Sequence, residues 1–238
     1  MCPLAHSSFL LPASPEQSPA RRTVRHAGAG RTLLGLTLAL ALTLGLTSAN
    51  RAATAATLQV KVADQSGAAV ADAVVWAIPS GETMAPTTTG TATIDQIKRK
   101  FVPLVSVIQT GTSVTFPNKD DIEHDVYSFS DAKRFDLHLY HGTHAKPVVF
   151  DKSGLVVMGC NIHDQMLAYL MVVDTPYFAK TDSSGVAQLN KLPQGAYSLT
   201  AWHYQMTDPN GRVTQPITAG AANTTGNASL RVELKPSS

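Results

Sequence analysis

Cysteine is almost absent from this 238-residue sequence, which holds only Cys2 and Cys160. That scarcity excludes a small scaffold held by several disulfides. Charge is also sparse, at 15% Asp, Glu, Lys and Arg against 44% hydrophobic residues, a balance that excludes a disordered, self-repelling chain and allows one or two buried cores. Basic residues interleaved with aromatics are missing as well. Lys98-Arg99-Lys100 stands alone and reads as a solvated strand end, so no nucleic-acid partner is expected. The apolar run Leu33 to Leu46 falls short of the ~18–20 residues that a membrane span needs.

Arg21, Arg22, Arg25 and Arg31 precede that run, and Ala53-Thr54-Ala55 follows it with small residues suited to cleavage. The pattern predicts a signal-peptide region over residues 1–55, a mature start between Asn50 and Leu58, and a periplasmic protein with no stable membrane insertion after processing. Cleavage would remove five of the 19 basic and one of the 17 acidic residues, leaving a mildly acidic chain with 14 against 16. Cys2 would be lost with the leader. Cys160 then remains as a lone thiol in a compartment that oxidises thiols, a liability unless something occupies it.

The rest of the pattern is all-β. Leu58–Val62 alternates, and apolar or alternating runs predict further strands over 73–78, 105–108, 113–116, 146–150, 154–158, 167–173, 185–189, 196–202 and 229–234. Turn clusters at Asp64-Gln-Ser-Gly67, Asp151-Lys-Ser-Gly154 and Asp182-Ser-Ser-Gly185 punctuate them, and no long helical period appears.

Chemistry concentrates in Cys160-Asn-Ile-His163-Asp-Gln-Met166, where a thiolate, an imidazole and a thioether recur at three-residue intervals. With two Cys, eight His and six Met in the chain, composition alone would produce such a triplet with odds of roughly 0.002. Soft sulfur ligands beside imidazole favour copper; zinc would accept Cys and His but has little use for Met. A trigonal copper site needs a second imidazole, and the segment Val114 to Tyr127 offers His124.

Gly111-Thr-Ser-Val-Thr-Phe-Pro-Asn118, His124-Asp-Val-Tyr127 and the 160–166 motif together resemble the blue-copper cupredoxins, with the short Cys-x2-His-x2-Met loop most like that of amicyanin. The stretch from Phe101 to Phe178 also looks like bacterial plastocyanin-like proteins loosely named methylamine utilisation proteins. The resemblance implies a cupredoxin-type Greek-key sandwich with one type 1 copper per chain, held by His124, Cys160, His163 and, as a long axial ligand, Met166. It further implies single-electron transfer with a redox protein such as a c-type cytochrome or a periplasmic dehydrogenase. Cys160 and His163 as thiol nucleophile and base would need a substrate pocket and an oxyanion site and would leave Met166 and His124 without a role, so no enzymatic activity is expected. A copper carrier or sensor, or a metal-free interaction module, are the alternatives. Two positions depart from the pattern: Asp125 stands where many relatives have Asn, and Ile162 where many have Pro.

The flanks, Leu58 to Val75 and Thr181 to Leu199, resemble carboxypeptidase-regulatory-like, or transthyretin-like, sandwich modules. The resulting expectation is a discontinuous sandwich over 57–90 and 175–238 with the copper domain, 91–174, between its parts; a single merged sandwich is the other arrangement. Asp120, Asp121, Glu123 and Asp125 read as a solvated acidic loop around His124. His138, His141 and His144 read as loop histidines, because a three-residue spacing does not align side chains on one strand face. His203 reads as structural.

Overall fold

Leu58, Val60 and Val62 alternate with polar residues, so a strand here can bury one face only. In the computed structural model, which describes residues 55–81, 90–143, 146–221 and 223–236, that strand is the first of seventeen, β1 to β17 in chain order, and no helix occurs among the described residues. The protein is all-β. One sheet runs β14 (Val186–Pro193), β1 (Ala55–Ala63), β17 (Thr225–Arg231). A second runs β13 (Phe178–Lys180), β2 (Val74–Pro79), β15 (Gly195–Trp202), β16 (Val213–Ala219). A third, of five strands, runs β6 (Val105–Gln109), β12 (Leu167–Val173), β11 (Gly154–Gly159), β8 (Tyr127–Ser130), β9 (Lys133–Asp136). Two smaller sheets, β10 (Val148–Phe150) with β7 (Thr112–Thr115) and β3 (Thr91–Thr93), and β4 (Asp95–Gln96) with β5 (Phe101–Val102), complete the set.

Two apolar cores result. The first gathers Val60 and Val62 of β1, Val74 and Val75 of β2, Leu189 of β14 and Leu199 and Trp202 of β15. The second gathers Val114 of β7, Phe116, Phe150 of β10, and Val156 and Met158 of β11. Strand β12 serves both: Ala168, Leu170 and Val172 enter the second core, while Met171 and Val173 enter the first. Its unbroken apolar run is the mark of a strand covered on both faces. Val105 of β6 joins the first core and Ile108 the second, so the five-stranded sheet is a layer shared between two cores.

Strand β16 escaped sequence reading because it contains Pro216 and alternates only weakly. It is tolerated there because β16 lies at a sheet edge and pairs with β15 alone. Strands β3, β4, β5 and β13 are only two or three residues long. The hairpin β8–β9 is polar enough to look like loop. The last strand lies at Thr225–Arg231, not at 229–234, because its parallel register with β1 pairs Thr57 with Thr225. The leader through residue 54 and His144 lie outside the described residues.

Two turns share one construction. In each, an aspartate Oδ1 accepts backbone N–H bonds from the residues two and four ahead: Ser66 and Ala68 for Asp64, Ser184 and Val186 for Asp182. Gly185 closes the second with φ 74°, and a Cβ there would sit 2.6 Å from the Val62 carbonyl oxygen. The left-handed conformation and the contact both act against a side chain. Gly185→Ala is therefore expected to lower unfolding free energy by about 2 kcal/mol or more, read by urea denaturation; an unchanged midpoint would contradict this packing.

Candidate metal centre

Strands β11 and β12 pair in register as far as Gly159 and Leu167, so residues 160–166 must close a hairpin loop between them. The loop is tightened by the Met166 N–H, which donates to the His163 carbonyl at 2.8 Å. This turn brings Cys160, His163 and Met166 to one end of the second core. His124 arrives from the β7–β8 connection and is fixed by reciprocal backbone bonds with Tyr140, His124 N–H to Tyr140 O at 3.2 Å and Tyr140 N–H to His124 O at 3.0 Å. Asn118 braces the same connection, its Nδ2 donating to the carbonyls of Ile122 and Tyr140.

The result is a convergence of donors. Cys160 Sγ lies 3.7 Å from His163 Nδ1 and 4.0 Å from His124 Nδ1, and one donor atom from each residue falls within 4.8 Å of the others. Nitrogen and sulfur ligands sit ~2.0–2.3 Å from a first-row ion, which puts donors around a shared ion roughly 3.5–4 Å apart. The observed sulfur–nitrogen separations match that spacing. His124 is fully buried, Cys160 is 4% exposed, His163 is half-buried, and Met166 is buried in the same core as Cys160. A thiolate and two imidazoles, with a thioether packed alongside, fit copper by their chemistry.

Groups beyond the donors set their orientation, and sequence reading missed most of these roles. Asp120 is not part of a solvated loop. Its Oδ2 lies 2.8 Å from His124 Nε2, and its two oxygens accept the backbone N–H groups of Lys98 at 2.6 Å and Arg99 at 2.8 Å. With Nε2–H donating to the carboxylate, the lone pair of His124 stays on Nδ1, the atom facing Cys160. The Arg99 amide above all, aided by the His124 ring and the Lys98 amide, holds the Asp120 carboxyl down to about 2 despite partial desolvation.

Asp125 is also buried rather than solvated, leaving Asp121 and Glu123 as the exposed acids of that loop. Its Oδ2 accepts a hydrogen bond from the Asn161 side-chain amide, which ties the residue after His124 to the residue after Cys160. The departure at Asp125 is thus answered by an amide supplied from the opposite loop. Burial, with the neighbouring Asp136 charge second, pushes the Asp125 carboxyl above its ordinary value. Ile162 is half-exposed beside His163. His138 and His141 are exposed and lie outside the donor cluster. His203 is buried, and its Nδ1 accepts the Gln205 N–H at 3.3 Å, which gives it a structural role.

Desolvation first, then the charges of His124 and Arg99, lower the affinity of His163 for a proton. In the metal-free protein its ring is therefore expected to titrate below 6.5, remaining mostly neutral and ready to ligate at pH 6.5; proton NMR of the ring will read this, and a midpoint above 6.5 would contradict it. Asp120→Asn is expected to weaken Cu(II) or Zn(II) binding ten- to hundredfold in competition titrations, because the carboxylate both orients His124 and makes it more basic.

No known family profile matches the chain, and no curated protein matches it. Among solved structures, it is similar over part of its length to a purple cupredoxin from Nitrosopumilus maritimus, at 22% identity and TM-score 0.31, covering 34% of this chain and 99% of that one. A copper-containing nitrite reductase from Thermus scotoductus SA-01 matches at 22% identity and TM-score 0.34, covering 41% of this chain and 26% of that one. A single-site mutant of amicyanin in its reduced state matches at 19% identity and TM-score 0.32, covering 41% of this chain and 99% of that one.

Proposed function

We propose that the chain is a periplasmic type 1 copper protein that carries single electrons between redox partners and performs no substrate chemistry of its own. The observation that carries this reading is the convergence of His124, Cys160 and His163, with one ligand atom of each within 4.8 Å of the others and both imidazole Nδ1 atoms at 3.7–4.0 Å from the Cys160 sulfur. A copper ion held by these groups would exchange between Cu(II) and Cu(I), passing one electron at a time.

The residues themselves favour that use. Buried donors on strand ends and a short hairpin keep their positions with little reorganisation, since His124 is fixed by backbone bonds and by Asp120, and Cys160 continues directly from β11. A carrier that hands its ion onward needs donors that can open, whereas His124, Cys160 and Met166 are all at most 4% exposed. Half-buried His163 gives the cluster an edge toward solvent, the route by which an electron reaches a partner such as a c-type cytochrome or a periplasmic dehydrogenase. An open groove of about 310 Å³ bordered by Ser130, Lys152, Asn210 and Arg212 contains none of the donors.

The copper-loaded protein is expected to show an intense visible thiolate-to-Cu(II) band that vanishes in Cys160→Ala, since that change removes the electronic source of the band. An unchanged spectrum in Cys160→Ala would overturn the assignment. Met166→Leu should keep the band and raise the reduction potential, because a weak donor that favours Cu(II) is lost; voltammetry reads the shift.

A further inference from the structure

Strand β11 turns Val156 and Met158 into the second core and Leu155, Val157 and Gly159 to its other face. Leu155 packs against the first core, whereas Val157 lies beyond that cover. A Cβ on Gly159 would come within 2.9 Å of the Tyr127 ring, and that ring meets Phe129 with 5.2 Å between centroids. Phe129 is 75% exposed although it sits in a strand, and Leu167 is exposed as well. An aliphatic and aromatic strip is thus left open, in a hollow of about 300 Å³ bordered by Tyr127, Phe129, Val157 and Leu167. It adjoins the groove of about 310 Å³ at Lys152 and Arg212, since Ser130 and Val157 border both.

The groove is cationic where the hollow is apolar. The Arg212 guanidinium lies 5.9 Å from the Trp202 ring centroid, and its Nη1 donates to the Asn210 and Gly211 carbonyls, both at 2.8 Å. Neutral groups therefore hold it in place. Among the described residues, Nε and Nη2 have no acceptor, and neither Arg212 nor Lys152 has a carboxylate within ion-pair distance. Asp131, the one acid bordering the groove, is engaged by Arg134 at 3.3 Å. Burial lowers the Arg212 pKa, and the charge of Asp208 opposes that effect without forming an ion pair. A half-buried cation fixed without a counter-ion is costly, and an anion relieves it. We propose that this trough binds a small amphipathic carboxylate, its head on Arg212 and Lys152 and its apolar body along Val157 toward Tyr127 and Phe129. A guanidinium edge takes a carboxylate in two parallel bonds, and an uncovered apolar strip of this kind marks a binding surface. Each hollow lies at the lower end of the ~300–1,000 Å³ of small-molecule sites. The site stands independently of what the donor cluster holds.

Isothermal titration calorimetry of the full chain with sodium octanoate, sodium acetate and octan-1-ol separates head from body. Octanoate should bind saturably, one per chain, while acetate and octanol show a Kd higher by about tenfold or more. Arg212→Gln should raise the octanoate Kd by about tenfold or more. Lys152→Gln and Phe129→Ser, both at exposed side chains, should raise it to a smaller degree without lowering the melting temperature. Octanol binding as tightly as octanoate, or an octanoate Kd unmoved in both Arg212→Gln and Lys152→Gln, would overturn the proposal and leave an apolar patch alone. Cys160→Ala should keep the wild-type Kd; loss of binding there would also overturn it, by placing the carboxylate at the donor cluster. Absence of saturable octanoate uptake by wild type would overturn it too, and sedimentation as a dimer would then make a second copy the cover of Phe129.

Discussion

The antiparallel pairing of β11 with β12, held to the Gly159–Leu167 pair, is the constraint on which the site depends. It forces residues 160–166 into a hairpin whose two ends are anchored in sheet, so Cys160 and Met166 inherit the rigidity of paired strands. That rigidity has its own source in β12, which is buried on both faces and lies between two cores. A strand gripped from both sides has little freedom to shift register, since a one-residue slip would exchange the residues facing each core. The flanking sheets therefore support the donor cluster without contributing an atom to it.

A second constraint is electrostatic. Asp120 accepts the His124 ring and two backbone amides of the Lys98–Arg99 turn, whose residues hold φ of 54° and 58°. A carboxylate receiving two or three N–H groups is stabilised as an anion, and it in turn polarises the imidazole. One side chain thus couples the β4–β5 turn to the orientation of His124. Asn161 and Asp125 make a comparable tie between the two donor loops on the other side. The bonds that Asp120 accepts are charge-assisted, and such bonds are shorter and stronger than the neutral ones that complete the frame at Asn118 and Tyr140.

Much of this was legible in the sequence, for identifiable reasons. The Cys160, His163 and Met166 spacing is local, so a hairpin loop delivers all three and sequence reading could name them. The apolar run 167–173 announced a strand. His124 lies 36 residues before Cys160, and its place in the set rested on resemblance; its distance from the sulfur is a tertiary fact. Asp120 and Asp125 read as solvated because acids in loops usually are, and their inward direction depends on partners at Lys98, Arg99, Asp136 and Asn161 that only folding assembles. Strand β16 was hidden by Pro216, whose edge position cannot be known before the sheet order is.

The proposed function turns on whether one ion sits between Cys160, His124 and His163 when the protein is loaded. X-ray absorption at the copper edge of the loaded protein tests it most directly. The expected first shell is one short thiolate sulfur and two imidazole nitrogens. A shell of nitrogen and oxygen alone, with no sulfur, would contradict it.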